Sequence, residues 1–178
     1  MITKKAVLAI IGSASKKSSN LMLVKRIEEL SQDNFNLSVF NSLSSLPHFN
    51  PELSIGNTPQ VILDFREMIL KADGVIICTP EYVFSIPGGL KNAIEWCVST
   101  TVFSNKPVGL ITASAHGQKA HEELQLIMRT IEARFTDSTT LLIQGIKGKI
   151  DDKGQLTDTD TDKKLLDLVL QFNKLLHE

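Results

Sequence analysis

Ala9-Ile10-Ile11-Gly12-Ser13-Ala14-Ser15-Lys16-Lys17-Ser18-Ser19-Asn20 is the stretch on which the reading of this 178-residue chain turns. Lys4 and Lys5 precede a short apolar run, Ala6 to Ile11, that leads into Ser13-Ala14-Ser15. That outline fits a secretory signal with its cleavage site, and it fits a buried strand opening into a ligand loop. The run is shorter than the roughly 7 to 15 apolar residues of a signal core. Removing it also deletes the first strand of a regular alternation, so the strand reading is preferred.

Outward from that stretch, Leu23, Ile27 and Leu30 recur at helical spacing, with Lys25 and Glu29 paired on the wet face. Phe35 to Phe40 alternates apolar and polar and predicts a second, partly exposed strand, followed by a long loop from Asn41 to Asn57. Thr58-Pro59 predicts an N-cap and first-turn proline for a helix whose buried stripe is Val61, Phe65, Met68, Ile69 and Ala72. Gly74 to Cys78, closed by Thr79-Pro80, is a continuous apolar run too short for a helix, the pattern of a strand buried on both faces. Leu90, Ala93, Ile94, Cys97 and Val98 share a helical face, Val108 to Ala113 reads as a strand, and Leu124, Ile127, Met128 and Ile131 as a helix. Leu141 to Ile143 makes a last strand, and Leu165, Leu168, Val169, Phe172 and Leu176 a closing helix. Five alternations of strand and helix predict an α/β fold, an open parallel sheet covered on both faces, with one domain spanning 1–178.

Composition removes several classes of function. A net charge of −1 gives no electrostatic footprint for nucleic acid. No apolar stretch reaches the roughly 20 residues that cross a bilayer. Cys78 and Cys97 form no CxxC or Cys/His cluster and read as buried small hydrophobes in a reduced, cytoplasmic protein. Asp158, Asp160 and Asp162 have the alternate spacing of a calcium loop, but Lys163 and Val169 stand where glycine and glutamate are needed, so a solvated turn and helix cap is expected and no metal.

In a parallel sheet the loops after the first, third and fourth strands open on one edge, where ligands of such sheets bind. The first, Gly12 to Asn20, carries Ser13, Ser15, Ser18 and Ser19 immediately before a helix, whose N-terminal amides and hydroxyls suit a phosphate, with Lys16 or Lys17 adding charge. Serines are equally at home in any loop before a helix, and neither GxGxxG nor GxxxxGK[ST] is present. The second, Thr79 to Pro87, is stiffened by two prolines and presents Tyr82 and Phe84, which serve a planar ligand or simple packing. The third runs from Ala113 to Lys119.

Together, Gly12-Ser13 with Ser18 and Asn20, the Pro80-Glu81-Tyr82 to Pro87-Gly88 loop continuing as Leu90-Lys91-Asn92-Ala93-Ile94-Glu95-Trp96, and Lys106-Pro107-Val108 leading to Ala113-Ser114 resemble the NADPH-dependent FMN reductase family. The likeness runs in register from about Val7 to Arg129. It implies a flavodoxin-like three-layer sandwich with a five-stranded parallel sheet in order 2-1-3-4-5. It also implies FMN and NADPH as cofactors and a small electron acceptor: free flavin, a quinone, an azo compound or a metal oxyanion. By the same resemblance Ser13, Ser18 and Asn20, with Ser15, Lys16 and Ser19 beside them, hold the flavin phosphate. Pro80, Glu81 and Tyr82, with Val83, Phe84 and Ser85, line one side of the ring, and Ser114, Ala115, His116 and Gly117 sit by its pyrimidine edge. Lys91, Asn92 and Trp96 match the motif but lie on a helix and read as architecture. A homodimer, or a tetramer, is the expected assembly, with the Leu43 to Leu53 loop a contributor.

The chain departs from the family pattern at three places. Ser15 stands where an arginine usually reaches the phosphate; lysine at 16 or 17 lacks the bidentate fork, so weaker FMN retention is expected. Val83 and Phe84 replace an asparagine and, often, a glycine. Ala115-His116 interrupts a glycine-rich loop, where His116 is either an exposed loop residue or an N–H donor that stabilises charge on the reduced ring. Flavin carries the reactivity, so the absence of a nucleophile triad or metal cluster in the sequence is consistent with hydride transfer. A flavodoxin-type electron carrier and a flavin-poor ligand-sensing or interaction module of the same fold are the rival readings.

Overall fold

Strand β1 (Lys5–Ile11) pairs in parallel with β2 (Phe35–Phe40) on one side and β3 (Gly74–Thr79) on the other, and β4 (Val108–Ser114) and β5 (Thr140–Gln144) extend the sheet beyond β3. The computed structural model describes residues 4–15 and 18–178, and Lys16 and Lys17 lie outside them. Strand order is 2-1-3-4-5, as the resemblance implied.

The period-2 alternation of each strand sorts its side chains between two cores. Leu8, Ile10, Val75, Ile77 and Leu110 face α3 (Gln60–Lys71), α4 (Gly88–Glu95) and α5 (Gln118–Thr130), while Val7, Ala9, Ile11, Ile76, Cys78 and Ile111 face α1 (Ser19–Leu30) and α6 (Thr159–Leu175). Every residue of β3 is buried, which is why its sequence is uninterrupted by polar positions until Thr79. Phe35 and Phe172 meet edge to face at 5.8 Å and close the α6 side. Asp158 caps α6, accepting from the Thr161 amide at 2.9 Å and pairing with Lys149, the cap expected there.

The interval 41–57 holds more structure than the predicted loop. A 3-10 turn (Leu43–Ser45) and a short helix α2 (Pro51–Ile55), capped by Asn50, tuck Leu43 and Leu46 into the core. Phe49 packs edge-on against Trp96, while Trp96 Nε1 and Asn92 Nδ2 donate to Pro47 O, so Asn92 on α4 and Trp96 at its C-cap are architectural as expected, and Lys91 pairs with Glu95 one turn on. Thr58 is not the cap of α3: the helix begins after Pro59, and the Thr58 hydroxyl donates back to Leu53 O at 2.7 Å.

The stripe of α3 is also rotated from the predicted one. Ile62, Phe65, Arg66 and Ile69 are buried and Met68 is exposed. Arg66 turns inward because carbonyls at Ser54 and Trp96 need donors: its guanidinium serves both, together with the hydroxyls of Ser54 and Ser99. Val98 lies past the end of α4 and faces solvent, against the expected burial, whereas Cys97 is buried and its thiol is pushed up to about 12 by that burial. Among the described residues no helix is long and apolar enough to cross a membrane.

Candidate functional site

The sheet order reverses between β1 and β3, and a cleft of about 640 Å³ opens outside their carboxyl ends. That position and size are those of a cofactor site in this class of sheet.

The first loop starts at Gly12, whose amide donates to Cys78 O at 2.8 Å. A Cβ there would stand 2.2 Å from Thr79 Oγ1 and 3.0 Å from Thr79 Cα, so only glycine lets the two strand ends approach. Ser13 is buried; its Oγ accepts from the Ser15 amide at 3.2 Å and lies 3.4 Å from the Tyr82 hydroxyl. Ser18 caps α1, accepting from the Leu21 amide at 3.1 Å, which leaves its own O–H proton to give to a ligand. The amides of Ser19 and Asn20, in the first turn, have no carbonyl of their own helix to bond. With the helix dipole they make this rim an anion-binding end.

The Asn20 side chain is spent inside. Its Nδ2 donates to Ala113 O at 3.3 Å and its Oδ1 accepts from the Cys78 thiol at 3.3 Å, pinning α1 to the ends of β3 and β4. Complete burial pushes the Cys78 thiol far up, which keeps it a protonated donor.

The second loop is a two-residue hairpin. Tyr82 N donates to Ser85 O at 2.9 Å and Ser85 N returns a bond to Tyr82 O at 3.1 Å. Between them Val83 (φ 53°) and Phe84 (φ 59°) both occupy the left-handed region that such turns normally give to Asn-Gly. Carboxylates on either side strap this turn to α5: Glu81 accepts from the amides of Gly117 at 3.1 Å and Ala120 at 3.0 Å, and Glu123 from Ser85 Oγ at 2.7 Å and the Ile86 amide at 3.1 Å.

Left-handed backbone costs about 1–3 kcal/mol at each such residue, and both side chains are largely in solvent, at 95% and 74% exposure. Val83→Asn/Phe84→Gly should therefore raise stability by about 1 kcal/mol or more, which at this chain length is about 2–4 °C in the melting temperature. A calorimetric scan that shows no rise would mean that contacts of the two side chains outweigh the strain.

In the third loop Gly117 has φ 85°, and a Cβ there would meet Leu142 Cδ1 at 2.9 Å. Ser114 and Ala115 line the cleft, while His116 is exposed and outside the lining. Of the residues predicted from sequence, Ser13, Ser15, Ser18, Ser19 and Asn20 come together with Pro80, Tyr82, Ser114 and Ala115 around one space. Glu81 and Gly117 stand behind that wall, bonded to each other, and Val83, Phe84 and Ser85 do not line it. Lys16 lies outside the described residues.

Sequence reasoning missed a fourth loop. Gly145, Ile146, Lys147 and Gly148, directly after β5, complete the lining. The signal was present: the rule that gathers strand-end loops on one edge applies to the last strand as to the others.

Comparison with known proteins points to one family. Residues 6–147 match the profile of the NADPH-dependent FMN reductase family. The chain is 33% identical to the NADH:(hydroxy)cinnamate reductase subunit CrdA of Vibrio ruber over 93% of its own length and 84% of that protein. It is 27% identical to a quinone reductase of Escherichia coli K12 over 99% and 97%. Among solved structures, the FerB flavoenzyme NAD(P)H:(acceptor) oxidoreductase of Paracoccus denitrificans superposes with a TM-score of 0.85, at 27% identity and 97% coverage of both chains.

Proposed function

The chain belongs to the NADPH-dependent FMN reductase family of NAD(P)H-dependent flavin and quinone oxidoreductases, and from that premise we propose that it passes a hydride from NADPH through FMN to a small acceptor: free flavin, a quinone, an azo compound or a metal oxyanion. The observation that carries this reading is the single cleft at the β1/β3 switch point, where an anion-binding helix end and an aromatic ring meet. When bound there, FMN would supply the two-electron redox chemistry that links the nicotinamide to the acceptor.

The donor set fits that group. Ser13, Ser15, Ser18 and Ser19 offer hydroxyls to the phosphate at the α1 terminus, and the buried Asn20 bridge keeps that terminus in place beneath them. Pro80 and Tyr82 form one wall for the ring, which Glu81 steadies from behind. With the Gly117 amide given to Glu81, Ser114 and Ala115 are left for the pyrimidine edge, and His116 lies beside them on the exposed side of the loop, outside the lining. The protein's part is to bind, orient and exclude water.

A cytoplasmic homodimer or tetramer is the setting we assign to this chemistry. Two buried free thiols support the compartment, and the exposed Leu70, Val98 and Leu126 the assembly.

The experiment is a visible absorption spectrum of protein loaded with FMN, freed of unbound flavin, and treated with NADPH without oxygen. A retained flavin band that bleaches, and recovers when a quinone is added, is expected; a band that NADPH leaves unchanged overturns the proposal. Run on His116→Ala at equal flavin occupancy, an unchanged bleaching rate removes His116 from the reaction.

A further inference from the structure

A phosphate monoester carries about −1.5 to −2 charges at neutral pH. The described residues of the hydroxyl rim itself, Ser13, Ser15, Ser18, Ser19 and Asn20, are neutral, with Ser15 standing where the family pattern has an arginine. Among the described residues lining the cleft, one alone is charged, and it comes from the loop that the sequence reading overlooked: Lys147.

The turn that carries Lys147 is held to the site. The Gly145 amide donates to Ala115 O at 3.1 Å, Gly148 N bonds Gly145 O at 3.0 Å, and Ile146 is buried in the α1/α6 core. Beyond it the chain runs along the start of α1, where Ile150 and Gly154 share a hollow with Ser18 and Ser19. That hollow holds Asp151 and Asp152 against a single Lys153, a balance that repels an anion, so the cleft is the side on which a phosphate is stabilised. Lys149, two residues on, is committed to Asp158 at 2.9 Å, whereas Lys147 makes no ion pair among the described residues.

We propose that Lys147 is a counter-charge to the 5′-phosphate of FMN in this chain, supplying from the far side of the cleft charge that Ser15 does not. The proposal rests on the FMN-reductase reading and adds a residue that strengthens the site's preference for FMN over a flavin without phosphate. A lysine is a point charge on a flexible stem, so it can serve a phosphate from a loop that does not hydrogen-bond the serine rim.

The test compares FMN with riboflavin, which has the same ring and no phosphate, by fluorescence quenching on flavin-free protein. Lys147→Gln is expected to weaken FMN binding about tenfold or more, the size of a lost charge-assisted hydrogen bond, and to leave riboflavin binding within about twofold. Lys147→Arg should retain the preference, and Ser15→Arg should restore it in the Lys147→Gln background. Equal weakening of both flavins, or FMN binding untouched by Lys147→Gln, overturns the proposal while the reductase reading stands. Wild-type protein that binds neither flavin overturns that reading and the proposal with it. Lys147 is exposed, so the variants should melt with the wild type. Should they not, the fall of wild-type FMN affinity with salt, absent for riboflavin, is the required result, and a salt-independent FMN affinity overturns the proposal.

Discussion

Glu81→Ala is expected to cost about 2–4 kcal/mol and to abolish tight flavin retention. The carboxylate accepts from the amides of Gly117 and Ala120 at the start of α5; hydrogen bonds to a charged acceptor are worth roughly 1.5–3 kcal/mol each, and the pair is discounted because Glu81 is half-buried and water replaces it in part at the freed amides. The loss is local as well as global: it loosens the second strand-end loop from the third, the two loops that supply Pro80, Tyr82, Ser114 and Ala115 to the cleft. Urea denaturation measures the first effect and FMN titration the second. Glu81→Gln keeps one acceptor oxygen and should fall between wild type and alanine.

The same strap carries a pH signature. Burial works to raise the Glu81 carboxyl, and the amides of Ala120, Gly117 and Lys119 together outweigh it, holding the group below its ordinary value of 4.5. A carboxyl depressed in the folded state adds stability that is complete above the unfolded value and is lost as pH falls through the folded one. Wild-type protein should therefore lose this contribution below about pH 4.5, in the window down to the folded value, and Glu81→Ala should show a shallower decline over that window. Parallel declines in the two proteins would show that the strap contributes nothing through its charge.

Gly12→Ala is the second large effect. The added methyl would meet Thr79 Oγ1 at 2.2 Å, Thr79 Cβ at 2.5 Å and the β3 backbone at 3.0 Å. The last of these cannot be relieved by a rotamer change, so β1 and β3 must separate where the switch point requires them closest. Overpacking of this kind costs about 1–3 kcal/mol and more where backbone is the obstacle. Since the Gly12 amide also bonds Cys78 O, the hydroxyl rim should shift with it, and FMN binding should fall further than stability alone accounts for. A variant with wild-type FMN affinity and wild-type melting would show that the strand ends part freely. Gly12→Ala/Thr79→Gly, which empties part of the clash, should recover some of both losses.

How much of this was legible in sequence differs by feature. Val7 to Ile11, Gly74 to Cys78 and Val108 to Ala113 could be read as strands because a parallel strand buried on both faces must be apolar throughout. The serines before α1 could be read as an anion loop because the exposed amides of a helix start are a local property of the backbone. Met68 and Val98 were misplaced because periodicity locates a stripe only to within a residue or so and is blind to what stands opposite. At α3 that was two carbonyls, which drew Arg66 inward.

What the sequence determined by itself is therefore the order of elements, the edge on which ligand loops gather and the resemblance that names the cofactor, each a matter of local pattern or matched motif. The tertiary structure alone decided which side chains are spent on the scaffold: Asn20 on Cys78 and Ala113, Glu81 on α5, Glu123 on the hairpin. It also showed that the loop after β5, which the strand-end rule places on the ligand edge, carries Lys147 into the lining with Ser15. These are pairings between groups tens of residues apart in the chain, and the direction of a side chain across such a gap is set by packing of the whole sheet, which no local spacing encodes.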